Sequence, residues 1–184
     1  AGDALLTHAF YLLTQLAHAG VPHAQIVKII EECSVYAGAK GMVGGQAADL
    51  EGVQGVTDLA QLEYIHTHKT SDMIVFALKT GGRIGGADEL QLNALEQFGY
   101  RIGLAFQIQD DILDITGDEK KLGKKTKSDE KQEKVTYPYI VGLEKSAEKV
   151  RELTESGKEW IRRGQFPYPD RLLALADYLM QRDH

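Results

Sequence analysis

The chain is 184 residues long and 43% apolar, with 21 basic against 27 acidic residues and a formal charge of −6. That length and apolar content suit a single domain, residues 1–184, with a substantial core, while the acidic balance argues against general affinity for nucleic acid or an anionic membrane surface. The single cysteine, Cys33, excludes an intramolecular disulfide and reads as a small buried hydrophobe of a reduced compartment, and no apolar run reaches the length of a membrane span, so the cytoplasm is the expected location.

Leu5, Leu6, Ala9, Phe10, Leu12, Leu13 and Leu16 recur at helical spacing, and Gly20 with Pro22 predicts the stop. A second helix from Pro22 carries Ile26, Ile29, Ile30, Cys33 and Val35 toward the glycine-rich "AKGMVGGQAADL". Glycines 41, 44 and 45 are poor helix formers, so their presence there predicts close approach of another helix or a ligand. Asp58 and Gln61 form a capping box that predicts a helix through about Leu78. "TGGRIGGADEL" then predicts a break, and Asp88 with Gln91 caps a long helix carrying Leu92, Leu95, Phe98, Ile102, Ala105, Phe106 and Leu113 to near Gly117. The lysine-rich residues 117–134 read as a mobile loop or weak helix, and two helices are expected over about 136–164 and 168–182. No alternating stretch is long enough for a strand, so the expected fold is all-α, a bundle of long helices with glycine breaks.

"FQIQDDILDITGD", residues 106–118, sets three aspartates among Phe106, Ile108, Ile112, Leu113 and Ile115. Crowded, partly buried carboxylates repel one another and call for a cation. On a helix Asp110 and Asp114 share a face one turn apart, Gln107 precedes them on the same side, and Asp111 lies about 100° round. Mg²⁺ is bound by one or two carboxylates together with substrate phosphates, so this cluster reads as half a metal site completed by a diphosphate. A solvated acidic stripe is the bland alternative, and the apolar flanks argue against it. Lys69 and Thr70 fall mid-helix, Gln46 and Asp49 share a face just past the glycines, and Lys124 follows the aspartates. His66 and His68 point to different faces and form no zinc pair, and no nucleophile elbow, phosphate loop or dinucleotide fingerprint occurs.

Taken together, "GMVGGQAADL", "HKT", "FQIQDDILDITGD", "LGKKTKSD" and "KVTYP", in that order, resemble the isoprenyl diphosphate synthases, the trans-prenyltransferases, and within them the bacterial farnesyl-forming branch. The resemblance implies long antiparallel helices around a central cavity. It also implies a reaction: an allylic diphosphate, dimethylallyl or geranyl, ionises and isopentenyl diphosphate attacks the cation. By the same resemblance Asp110, Asp111 and Asp114 hold Mg²⁺ against the allylic diphosphate, and Lys69 and Lys124 contact that diphosphate. Thr70 and Gln107 face the carbocation, Gln46 and Asp49 line the allylic side, and Phe106 and Arg182 adjoin the isopentenyl site. A homodimer is a further implication.

The family's first aspartate-rich motif is not among these residues and is expected to precede "AGDALL", on N-terminal helices missing from this stretch. The chain then reads as the C-terminal part of one such domain, inactive by itself. Farnesyl diphosphate is the expected product of the parent enzyme. Geranylgeranyl diphosphate, a non-catalytic partner subunit and a terpene cyclase are the competing readings. Leu12, Leu13 and Leu95 suit either an interface or the internal core.

Overall fold

A computed structural model describes residues 1–52, 58–116 and 135–181. Every regular element among them is helical, in keeping with the all-α expectation. Helix α1 spans Gly2–Thr14 and tightens into a 3₁₀ turn over Gln15–Ala19, which Gly20 ends with φ at +81°. Helix α2, His23–Tyr36, starts directly after Pro22, whose fixed φ suits a helix entrance. Helix α3, Met42–Gly52, contains Gly44 and Gly45.

Helix α4, Leu59–His66, is capped as expected, with the Gln61 amide donating to Asp58 Oδ1 at 2.8 Å. It does not run on smoothly to Leu78. A π-helical turn, Thr67–Ser71, interrupts it before α5, Asp72–Ile84. The two glycines at 81 and 82 also fail to break α5, which continues to Ile84 before the turn at Gly85 and Gly86. Gly82 is there for packing: a Cβ on it would stand 2.6 Å from Leu95 Cδ1 on the neighbouring helix. Helix α6, Glu89–Thr116, opens with a reciprocal capping box: the Gln91 amide donates to Asp88 Oδ1 at 2.8 Å, and the Asp88 amide to Gln91 Oε1 at 3.1 Å.

The expected helix over 136–164 is divided. Gly142, at φ +89°, separates α7, Tyr137–Val141, from α8, Leu143–Arg163, because only glycine takes that backbone setting without strain. Helix α9 spans Asp170–Gln181. The lysine-rich 117–134, and with it the loop reading given to it, lies outside the described residues.

Helix α6 is the axis of the bundle. Leu95, Phe98, Ile102, Ile161 and Ala176 form one apolar cluster, and Leu62, Ala105, Ile108, Ile112, Tyr137 and Val150 form another further along it. Leu95 is therefore core, whereas Leu12 is 54% exposed on α1, a helix with no buried residue. At the end of α5 away from the aspartates, Arg83 grips Glu32 with two bonds, 2.7 and 2.9 Å. Lys79 bridges Glu32 at 3.2 Å and Glu96 at 2.6 Å. Burial alone would raise the Glu32 carboxyl, but Arg83 and Lys79 together hold it below its ordinary value. This network ties α2, α5 and α6 together.

Packing around the π turn depends on missing side chains. A Cβ on Gly45 would run into the Lys69 amide and stand 2.6 Å from the His68 carbonyl carbon. On the other side, a Cβ on Gly103 would lie 2.6 Å from Ser71 Cβ and 2.7 Å from its Cα. Gly45→Ala is expected to destabilise the protein by about 1–3 kcal/mol through overpacking against backbone that cannot turn aside. Gly81, which has open space around it inside α5, gives the opposite result: Gly81→Ala is neutral or stabilising by up to about 1 kcal/mol. Thermal melts of the two variants against the parent check both signs.

Candidate active site

The π turn carries His68, Lys69 and Thr70. Inserting one extra residue per turn re-aims side chains that an α-helix would send elsewhere, which is why such turns recur at functional positions. Here the turn is held between α3 and α6 by Gly45 and Gly103. Ser71 Oγ is buried against Gly103 with no hydrogen-bond partner among the described residues.

Close backbone approach brings α3 side chains to the turn. The Lys69 ammonium donates to Asp49 Oδ2 at 2.7 Å, with the two side chains 26% and 16% exposed. A flexible lysine is thereby given one position, its charge partly compensated. Gln46, one turn earlier on α3, is exposed. The structure thus joins Asp49 to Lys69, two of the residues expected at the site, through contact between helices distant in sequence.

Gly99, Gly103, Gln107, Asp110 and Asp114 occupy one stripe of α6, since steps of three and four residues stay within a narrow arc. Gly103 touches the π turn, so Gln107 and Asp110 continue the same stripe one and two turns further on. Phe106, Gln107 and Asp110 are half-buried, and Asp114 is 3% exposed. Ile108, Ile112 and Leu113 are buried beside them, so the acidic cluster is no solvated stripe.

Asp111 makes contacts with two elements beyond its own helix. Its Oδ2 accepts the Tyr137 amide at 2.8 Å and meets His66 Nε2 at 3.2 Å, all three residues being buried. The Tyr137 hydroxyl donates to Glu63 Oε1 at 2.9 Å, one turn before His66 on α4. Burial, then the Glu63 acceptor, pushes the Tyr137 phenol up from its ordinary value, so it remains a donor at neutral pH. His66 was passed over in the sequence because its partner lies 45 positions away; "KVTYP", which contains Tyr137, was the available signal. The other histidine pairs within its own helix, His68 Nδ1 standing 2.7 Å from Asp72 Oδ2. Burial raises the Asp72 carboxyl, with His68 and Tyr100 opposing the shift. Lys124 and Arg182 lie outside the described residues.

Donor chemistry at the aspartates fits a hard divalent cation. Asp110 and Asp114 supply carboxylate oxygens from one stripe of one helix, in apolar surroundings that favour their pairing with positive charge. Among the described residues no three or more acidic, histidine or cysteine side chains converge into a complete metal cage. Such a partial set is what Mg²⁺ uses when phosphate oxygens and water fill its remaining positions. A cleft of about 730 Å³ between α2 and α6, lined by Lys28, Glu31, Glu32, Arg83 and Tyr100, contains none of these residues. No helix among the described residues is long and apolar enough to cross a membrane.

Comparison with known proteins identifies the family. The chain is 41% identical over 184 residues to the farnesyl diphosphate synthase of Geobacillus stearothermophilus, covering all of this chain and 62% of that protein. It is 38% identical to a chloroplastic geranylgeranyl pyrophosphate synthase of Catharanthus roseus, of which it covers 52%. Among solved structures, the geranyltransferase of Helicobacter pylori, complexed with magnesium and isoprenyl diphosphate, superposes with a TM-score of 0.84 at 34% identity, over 98% of this chain and 59% of that one. The chain thus spans about half to three fifths of the length of these relatives. Residues 1–163 match the polyprenyl synthetase family, and the chain belongs to that family.

Proposed function

We propose that this chain is the C-terminal part of a single all-α domain that condenses isopentenyl diphosphate with an allylic diphosphate, dimethylallyl or geranyl, to give farnesyl diphosphate. The observation that carries the reading is the assembly of Lys69, held by Asp49, on a π turn packed against the same stripe of α6 that bears Gln107, Asp110 and Asp114. It puts an anchored cation and a carboxylate pair at one junction of helices, which suits a diphosphate and its counter-ion.

Asp110 and Asp114 would hold Mg²⁺, which would supply Lewis-acid stabilisation of the departing diphosphate. The protein's own groups do the rest. Lys69 adds fixed positive charge where negative charge grows, and Asp49 holds its ammonium so that little reorganisation accompanies ionisation. Thr70 and Gln107 offer neutral oxygen dipoles to the allylic cation, which stabilise it without the nucleophilicity of a carboxylate. Gln46 lines the allylic side, Phe106 shapes the isopentenyl side, and Lys124 and Arg182 complete the binding of the two diphosphates. The protein acts as a homodimer in the cytoplasm.

Incubating the full-length protein with isopentenyl and geranyl diphosphates and Mg²⁺, with products resolved by mass spectrometry, tests this reading. Farnesyl diphosphate is expected, and a chelator abolishes it. A longer product would move the chain to the geranylgeranyl branch; cyclic hydrocarbon formed without isopentenyl diphosphate would sink the transferase reading.

Asp110→Ala is expected to lower turnover by about 10²-fold or more, as for a lost metal ligand. Without metal the same variant melts no lower than the parent, because one of several crowded charges has gone. Asp49→Asn frees the lysine: the KM for the allylic diphosphate rises by about tenfold while the metal requirement stays put, as steady-state kinetics at several Mg²⁺ concentrations will show.

A further inference from the structure

Three aspartates in one turn invite the assumption that all three serve the metal. The geometry assigns them different work. We infer that Asp111 is a positioning residue and no metal ligand: with His66 and Tyr137 it forms a buried clasp that fixes the last turns of α6, and so the aim of Asp110 and Asp114. This rests on the metal role proposed above for those two residues.

These two contacts of Asp111 fall on one oxygen. Oδ2 takes the Tyr137 amide at 2.8 Å and His66 Nε2 at 3.2 Å. A carboxylate oxygen has two lone pairs, so two donors occupy it. To join a metal through that oxygen, Asp111 would have to release both partners and leave a buried amide and a buried imidazole unsatisfied, each at a cost. Asp111 also lies about 100° round the helix from Asp110, away from the stripe that faces the π turn.

The clasp reaches further than one hydrogen bond. Tyr137 is held at its backbone by α6 and at its hydroxyl by Glu63, so one residue at the start of α7 is gripped from two helices. Glu63 and His66 lie one turn apart on α4, and the π turn begins at the residue after His66. The end of α4, and with it the entry to the turn that carries Lys69 and Thr70, is therefore locked to the end of α6 that carries the aspartates. His66 is the link between the two halves of the site.

The test uses full-length protein in three arms. In the first, Mn²⁺ binding in the presence of inorganic diphosphate is followed by electron paramagnetic resonance. Asp110→Asn is expected to weaken it by well over tenfold, and Asp111→Asn and His66→Asn to weaken it alike and by at most about tenfold, because they act through the ligands and not on the metal. In the second, thermal melts in chelator show His66→Asn and Asp111→Asn each lowering the midpoint by several degrees, with the double variant no worse than the more damaging single one, as for two partners in one interaction. In the third, kinetics run well below the melting midpoint of every variant and normalised to folded protein show His66→Asn lowering kcat with the KM for the allylic diphosphate unchanged, a loss that a smaller folded fraction does not account for. Asp111→Asn weakening Mn²⁺ as strongly as Asp110→Asn, or additive effects of the two clasp variants in chelator, overturns the assignment. A parent protein that transfers no prenyl group would sink the reaction proposed above, while the chelator melts would still decide the clasp.

Discussion

Everything that brings the candidate site together depends on how closely three backbones approach at the π turn. Gly45 on α3 and Gly103 on α6 press on the turn from opposite sides, and a methyl group at either position would enter space already filled by main chain. Glycine in a helix interior costs about 1 kcal/mol relative to alanine, and α3 and α6 each bear that cost at the one place where helix stability matters less than proximity. What it brings is short reach. Asp49 meets Lys69 only because α3 lies against the turn, and Gln107 and Asp110 follow the point where α6 touches it.

Charge is arranged around this junction with some economy. At the far end of α5 the acidic and basic groups satisfy one another: Glu32 with Arg83 and Lys79, Lys79 with Glu96. That network is complete in itself and ties three helices without needing a ligand. Near the aspartates the balance is different. Lys69 is matched by Asp49 and Asp111 by His66 and Tyr137, and Asp110 and Asp114 share one stripe of α6 beside buried Ile108, Ile112 and Leu113. Coulombic cost in a partly buried site falls steeply when a divalent ion arrives, so a site of this sort is stable enough to fold empty and gains most when loaded.

Much of this was legible in residue order. The two capping boxes located α4 and α6 because a cap is a local interaction between residues three apart, and Asp58 and Asp88 make the bonds their spacing predicts. Glycine 45 announced close approach for the same reason that any helix-interior glycine does. What escaped was non-local. A π turn has no compositional signature of its own; it is the answer to being squeezed between Gly45 and Gly103, on helices far apart in the chain. Gly81 and Gly82 look like a break but stay within α5, where Gly82 makes room for Leu95, and Gly142 looks like an ordinary helical glycine but takes a positive φ that ends α7. The difference lies in Leu95 beside Gly82 in one case and in the backbone setting of Gly142 itself in the other.

The aspartates show how far spacing alone carries. Helical arithmetic places Asp110 and Asp114 together and Asp111 aside, and that separation is real in the fold. Arithmetic does not say what stands on the side to which Asp111 turns. There the fold supplies His66 from α4 and the Tyr137 amide from the start of α7, and a carboxylate that the resemblance gave to the metal becomes, on the inference above, the joint of the assembly. Two aspartates proposed to hold a cation gain from a third group that holds their helix in place. A carboxylate suits that task because one of its oxygens meets the Tyr137 amide and the His66 ring together, so a single side chain ties α6 to two other elements.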